Sequence, residues 1–296
     1  MAIFPVLAAL GASGGWATGI VLAQSPARKL GAFEFTRIQL IACSAFVAGL
    51  CAVLGLWPTV TWHHWPAFAI SSLFGILLGN LAMIACLRRG GPRRTEVILS
   101  FKGPLVAGMA YLWLGETLSP WDLAGAGLAL IGILLAVLFA SDNSGKSDQL
   151  SAPIWQVIAL GFCATLFQGV GFLALKPAMV EGTAPLAATA LRLLGAALVI
   201  SLVALWPAEM FRPANPMSKR MLGQTVLPGL IGYVLSSTLL LYAIATFDAG
   251  IATVLGSLSP VLVLAILWIK DRQPPTTLAA AGAGLAICGT AVIALT

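Results

Sequence analysis

Charge is what this 296-residue chain has least of. Asp, Glu, Lys and Arg make up 9% of it, against roughly 25% in soluble globular proteins, and the mean hydropathy is +0.99. That balance excludes a soluble domain. Period-two alternation is missing as well, which excludes a membrane barrel. There are two histidines, His63 and His64, and five cysteines, Cys43, Cys51, Cys86, Cys163 and Cys288, without a CxxC pair. Adjacent histidines and scattered cysteines give no tetrahedral metal set, and the cysteines read as small buried hydrophobes inside apolar runs. The first apolar segment has no basic stretch before it and is long enough to stay as a helix, so no cleaved leader is expected.

Long apolar runs are what the chain has instead. A helix needs about 20 apolar residues to cross a bilayer, and helices satisfy their own backbone groups where water cannot. Ten runs qualify, at 4–24, 32–56, 66–87, 94–114, 119–140, 154–175, 184–206, 221–246, 249–270 and 275–295. The expected fold is an all-α integral membrane protein of ten transmembrane helices. Trp57, Trp62 and Trp65 cluster between the second and third runs, where tryptophans anchor a helix end at the lipid interface.

The ten runs are one unit written twice. Ala124–Gly132 (AGAGLALIG) and Ala281–Gly289 (AGAGLAICG) agree at seven of nine positions, 157 residues apart. Gly11 and Gly19 pair with Gly161 and Gly169, Arg37 with Arg192, and Pro104 with Pro260, in the same order. The halves are expected at 1–140 and 154–296, joined by a polar linker at 141–153. Two related halves in a membrane suggest a solute carrier.

The net charge of +6 sits in loops. In the first half it follows spans one and three (Arg28, Lys29, Arg88, Arg89, Arg93, Arg94). In the second half it follows spans seven and nine (Arg212, Lys219, Arg220, Lys270, Arg272), with only Lys176 after spans six and eight, and Lys146 lies in the linker. The swap is what an inverted repeat of five helices requires. By the positive-inside rule these loops are cytoplasmic and both termini periplasmic, with the chain in the bacterial inner membrane. The same charges form no stripe for nucleic acid.

An ordered set of motifs resembles the drug/metabolite transporter superfamily, in its ten-helix members built from two EamA-type repeats. It comprises the embedded Arg37 and Arg192, the fourth helices LSFKGP (Leu99–Pro104) and LGSLSP (Leu255–Pro260), a charged turn (Gly115-Glu116; Lys270-Asp271) and a Gly-rich fifth helix. The second turn lacks the Gly-Glu of the first. The whole chain is similar to amino-acid and metabolite exporters, including the aromatic amino acid exporter branch. Export, and amino acids as cargo, are what that resemblance implies.

Candidate binding residues follow from polarity inside the runs. Lys102, near the middle of the fourth, would cost about 2.5–3.5 kcal/mol at the bilayer centre, so it faces protein or a water-filled cavity. It either attracts a substrate carboxylate or is a structural Lys paired with an acid or carbonyls. Trp16, Asn80, Gln168, Ser237 and Tyr242 are the other candidate ligand contacts; helix-to-helix hydrogen bonds are the plain alternative for such polar groups. Arg37 and Arg192 read as bracing or gating residues, with Glu34 one turn from Arg37. Pro104 and Pro260 interrupt backbone hydrogen bonding in the two fourth helices, where bending would serve alternating access. Glu96, Glu116, Glu181 and Asp248 fall near span ends, so no midplane carboxylate is expected; that suits a facilitator, with proton exchange through Lys102 as the alternative.

Enzymatic readings fail on context. Gly11-Ala12-Ser13-Gly14-Gly15 fits GxSxG but lies within the first run, without a preceding strand or partners. Its glycines, with Gly19, suit close helix packing instead. Gly145-Lys146-Ser147 resembles a P-loop end, but Ala140 stands where the first Gly belongs. The expectation is a monomeric carrier of a small amphipathic solute, with no cofactor and no enzyme activity. Its site would lie at the midplane between the repeats. The alternatives are a proton-driven exporter of cationic drugs or of another metabolite.

Overall fold

The computed structural model describes residues 3–117, 119–139, 152–205, 218–271 and 276–295. The linker at 141–151, with Lys146, and the proline-rich stretch containing Arg212 lie outside them, as does Arg272. The described residues contain helices and no strand.

In the first half, α1 (Ile3–Leu30) and α2 (Ala32–Val53) are separated by Gly31 alone. Its φ of 89° is open to glycine at little steric cost, which is what lets two spans reverse in one residue. α3 (Trp65–Ile70), π-helical turns over Ser71–Leu78 and α4 (Gly79–Ser100) follow. Gly91, at φ 78° and ψ 170°, breaks α4 and divides the third span from the fourth. The fourth continues through α5 (Lys102–Leu114). α6 (Pro120–Leu138) opens on a capping box, in which Ser119 Oγ accepts from Asp122 N and Asp122 Oδ2 accepts from Ser119 N.

The second half repeats the order. α7 (Ile154–Leu173) and the short α8 (Lys176–Val180) form the sixth span, and α9 (Pro185–Val203) the seventh. α10 (Lys219–Gly229), π-helical turns at Leu230–Ser236 and α11 (Ser237–Thr246) form the eighth. α12 (Ala249–Leu255), a 3₁₀ turn at Gly256–Leu258 and α13 (Ser259–Asp271) form the ninth, and α14 (Thr277–Leu295) the tenth. π turns thus occur in the third and eighth spans, and the fourth and ninth both break just before their proline. Pro104 and Pro260 lie in the first turn of the helix after each break. There a missing N–H leaves no helical bond unmade.

Packing makes the inversion visible. A Cβ on Gly132 would lie 2.7 Å from Gly282 O, and one on Gly289 would lie 2.6 Å from Gly125 O. Later residues of α6 therefore face earlier residues of α14, and the two run antiparallel. Each contact is also the repeat-related copy of the other, since Gly125 and Gly132 correspond to Gly282 and Gly289. α2 packs on α9 and α5 on α12 across the same axis. α1 packs along the eighth span as α7 packs along the third. A Cβ on Gly15 would run into Ser236 Oγ, and Gly11, Gly15 and Gly19 all face the eighth span at close approach.

Large apolar side chains cover the outside of the bundle, Phe46, Trp113, Leu198 and Ile287 among them. Cys163 and Cys288 share this surface, whereas Cys43, Cys51 and Cys86 are buried; all five are free thiols. The expectation of five buried cysteines therefore fails at two, because apolar runs do not say which face meets lipid.

Candidate functional site

Between the halves lies a narrow cavity of about 80 Å³. Its walls come from both repeats: α1 supplies Trp16, α4 Asn80 and Glu96, and α5 Lys102. α7 supplies Gln168 and Phe172, α9 Arg192, and the eighth and ninth spans Tyr233, Ser237 and Ser259. Both helix breaks contribute here. Lys102 follows the first, and Gly256 and Ser257 form part of the second. Broken helices in a membrane are tolerated where they line a cavity, and carriers use them to hold solutes.

Two buried cations dominate the site. The Nζ of Lys102 stands 4.2 Å from the Trp16 ring centroid and 5.8 Å from that of Phe172. The Cζ of Arg192 stands 4.4 Å from the same Phe172 ring, and its Nη1 donates to Ser237 Oγ at 3.3 Å. Lys102 is 6% exposed and Arg192 is 1% exposed. Among the described residues neither touches a carboxylate. Arg192 Nε, Asn80 Nδ2 and Tyr233 Oη are buried without hydrogen-bond partners.

One acid faces these cations. Glu96 is 3% exposed, lies in the cavity wall and accepts from Ser259 Oγ at 2.6 Å. Glu96 keeps its expected place near the start of the fourth span, but its burial in the cavity wall was not expected. Counting residues put Glu96 near a span end, two positions from Arg94, but its side chain is directed inward onto the opposite repeat. Sequence carried one signal for it, an acid just inside an apolar run.

The remaining candidates separate. Trp16, Asn80, Lys102, Gln168, Ser237 and Arg192 meet at the cavity. Tyr242 does not; it is 40% exposed on the outside of α11. Five positions from Ser237 turn a helix about 140°, which carries Tyr242 to the other face. Arg37 is also elsewhere, bonded twice to Glu34 at 2.8 Å with its side chain 34% exposed. The two repeat-related arginines are therefore not equivalent in their surroundings. Ser13 donates to Leu255 O at 3.0 Å, a helix-to-helix contact.

The cavity reaches from Trp16 and Tyr233 towards Ala23, Phe35 and Leu87, at the end of the bundle where spans one and three finish. Among the described residues, none from the loops at the opposite end lines it. That end is tied shut between the halves. Lys176 Nζ is paired with Glu116 and donates to Phe247 O at 3.0 Å, and Glu116 Oε2 accepts from Ala249 N at 2.8 Å. The Thr61 and Thr183 hydroxyls are 2.7 Å apart, and Ala184 N donates to Thr59 Oγ1 at 3.1 Å. Of the two charged turns, the first thus joins this closure through Glu116.

A two-repeat bundle with broken helices around a shared cavity is the arrangement of a carrier, and the family comparison agrees. The model of the EamA-like transporter family matches residues 3–138 and again 155–295. The chain belongs to the EamA-like transporter family. It is accordingly a multi-pass membrane protein that carries small solutes. A solved structure described only as the crystal structure of a protein has 18% sequence identity and a TM-score of 0.74. That similarity covers 98% of this chain and 96% of that one, and it shows a shared fold. No curated protein matches the chain.

Proposed function

We propose that the chain is an exporter of small zwitterionic metabolites, amino acids foremost, working by alternating access around the central cavity. The observation that carries this reading is the pair Lys102 and Arg192, two buried cations around one Phe172 ring with no carboxylate in contact. Like charges brought together out of water repel, so packing alone gives no reason to keep them. A solute carboxylate between them does. The cation–π contact with Trp16 is worth about 0.5–2 kcal/mol, less than the cost of about 2.5–3.5 kcal/mol for a Lys at the bilayer centre. Glu96 faces the ammonium without touching it, so the cation still lacks an anion in contact.

Glu96 supplies the complement, a carboxylate for the amino group of the same solute. The aromatic rings of Trp16, Phe172 and Tyr233 give an apolar wall for its side chain. By the positive-inside rule the cavity reaches the cytoplasmic side and the Glu116–Lys176 end faces outward. Both termini are then periplasmic, the membrane is the bacterial inner membrane, and the chain works as a monomer. Export rests on the resemblance to amino-acid and metabolite exporters.

Glu96 also favours a second reading, an exporter of cations driven by proton exchange, because such a carrier needs a buried carboxylate in its cavity. Uptake of labelled amino acids and of a cationic dye into proteoliposomes, with and without a pH gradient, separates the two. Saturable amino-acid uptake, lost in Lys102→Ala, is the expected result. Dye uptake alone, lost in Glu96→Gln, would replace the first reading with the second.

A further inference from the structure

At the closed end of the bundle the structure brings together three metal-binding side chains that sequence keeps far apart. His63 and His64 follow the second span, and Glu181 precedes the seventh. His63 Nε2 lies 2.6 Å from Glu181 Oε2 and His64 Nε2 lies 3.0 Å from Glu181 Oε1. One ligand atom from each of the three lies within 4.8 Å of the others. The adjacent histidines do not point apart; their ring centroids are 4.2 Å from one another.

We propose that His63, His64 and Glu181 form a binding site for a zinc-class divalent metal ion that clamps this end of the two halves together.

The donor set fits. Two imidazoles and a carboxylate are ligands that zinc takes in sites with a fourth position left to water. Tetrahedral bonds of about 2.0–2.1 Å put ligand atoms roughly 3.3 Å apart, so shifts of about an ångström convert the present cluster. His64 Nε2 is shielded from water, and its approach to Glu181 lacks hydrogen-bond geometry, which leaves that nitrogen without a partner. Access is open, since the His63 side chain is 64% exposed and that of Glu181 is 48% exposed.

The loops are already docked. Thr61 N donates to Thr183 Oγ1 at 3.1 Å, beside the Thr59–Ala184 bond. A metal would therefore lose little in ordering them. Loop 54–64 belongs to the first repeat and Glu181 to the second, so a filled site joins the halves where alternating access must part them. The clamp's effect on transport, and its outward position, rest on the function proposed above; the site itself does not.

The test uses purified chain without a polyhistidine tag, titrated with zinc against a chromophoric chelator. One zinc per chain is expected, with affinity at least tenfold lower in His64→Ala and in Glu181→Gln. Zinc should also raise the thermal midpoint of the wild type and not of His64→Ala, whose metal-free midpoint reports that it folds. Absence of 1:1 binding would overturn the site. So would unchanged affinity in His63→Ala/His64→Ala, or loss of zinc only when Cys163 and Cys288 are replaced by Ser. In proteoliposomes, zinc outside should slow wild-type uptake and spare His64→Ala. Zinc that binds without slowing uptake would overturn the clamp. Wild type that carries no amino acid without zinc would count against the transport reading and leave the binding result standing.

Discussion

Lys102 and Glu96 stand on the same span, six residues apart, and both face the cavity without touching. Glu96 is bonded to Ser259 of the other repeat, and Lys102 lies on the face of Trp16. A direct ion pair between them would have satisfied both within one repeat. Kept apart, they present opposite charges to the same space, which is the polarity of a zwitterion. Four predictions test this arrangement and the closure beyond it.

The partly buried pair Glu116–Lys176 holds the far end of the halves together. Breaking a fully buried pair from one side costs about 3–5 kcal/mol; this partly buried one should cost less, so Lys176→Met should lower the thermal midpoint by a few degrees and speed leak of small solutes through proteoliposomes. Glu116→Gln/Lys176→Met should recover part of the stability, because no charge is then left alone. A single variant as stable and as tight as wild type would contradict the closure.

Asp248 lies beside that pair and outside the spans. Its carboxyl is pushed above the ordinary range by burial first and then by the charge of Glu116, with Lys176 offsetting part. A carboxyl raised by folding disfavours its own charged form. It therefore subtracts stability at neutral pH, and the loss is relieved as pH falls through the raised value. Asp248→Asn should raise the thermal midpoint at pH 7, by an amount that shrinks towards about pH 4. A lower midpoint at pH 7 would contradict this.

Arg192 and Arg37 occupy equivalent places in the two repeats but should not behave alike. Arg192→Met removes a cation from the cavity and should cut uptake at least tenfold, since a hydrogen bond to a charged group contributes about 1.5–3 kcal/mol. Arg37→Met leaves the buried Glu34 carboxylate without its partner, which costs stability, but the pair lies outside the cavity, so uptake per folded protein should stay within about twofold of wild type. Tyr242→Phe should do the same, because Tyr242 is on the outer face. Equal losses for both arginines would make them braces of the repeat and remove Arg192 from the binding role.

Much of this was legible in the chain. Ten spans, the duplication and the inversion follow from apolar runs, repeated motifs and the swapped loop charges. Lys102 stood out because its cost in lipid demands a reason. The facing of side chains was less legible. Tyr242 and Ser237 look alike in a run that is apolar all round, and only the packing of α11 separates them. Glu96 was hidden by its distance from the span centre, which says nothing of its direction. The His63–His64–Glu181 cluster joins positions more than a hundred residues apart, so no local pattern contains it. The π turns left no mark either, since they alter backbone register without demanding a residue type.

The most direct test of the central claim compares a transported amino acid with its methyl ester, as competitors for uptake by wild type and Lys102→Met. The ester keeps the amine and the side chain and loses the carboxylate charge. The account predicts that wild type prefers the acid at least tenfold and that Lys102→Met erases the preference. An ester that competes as well as the acid in wild type would contradict it, because the paired cations would then not be reading a carboxylate.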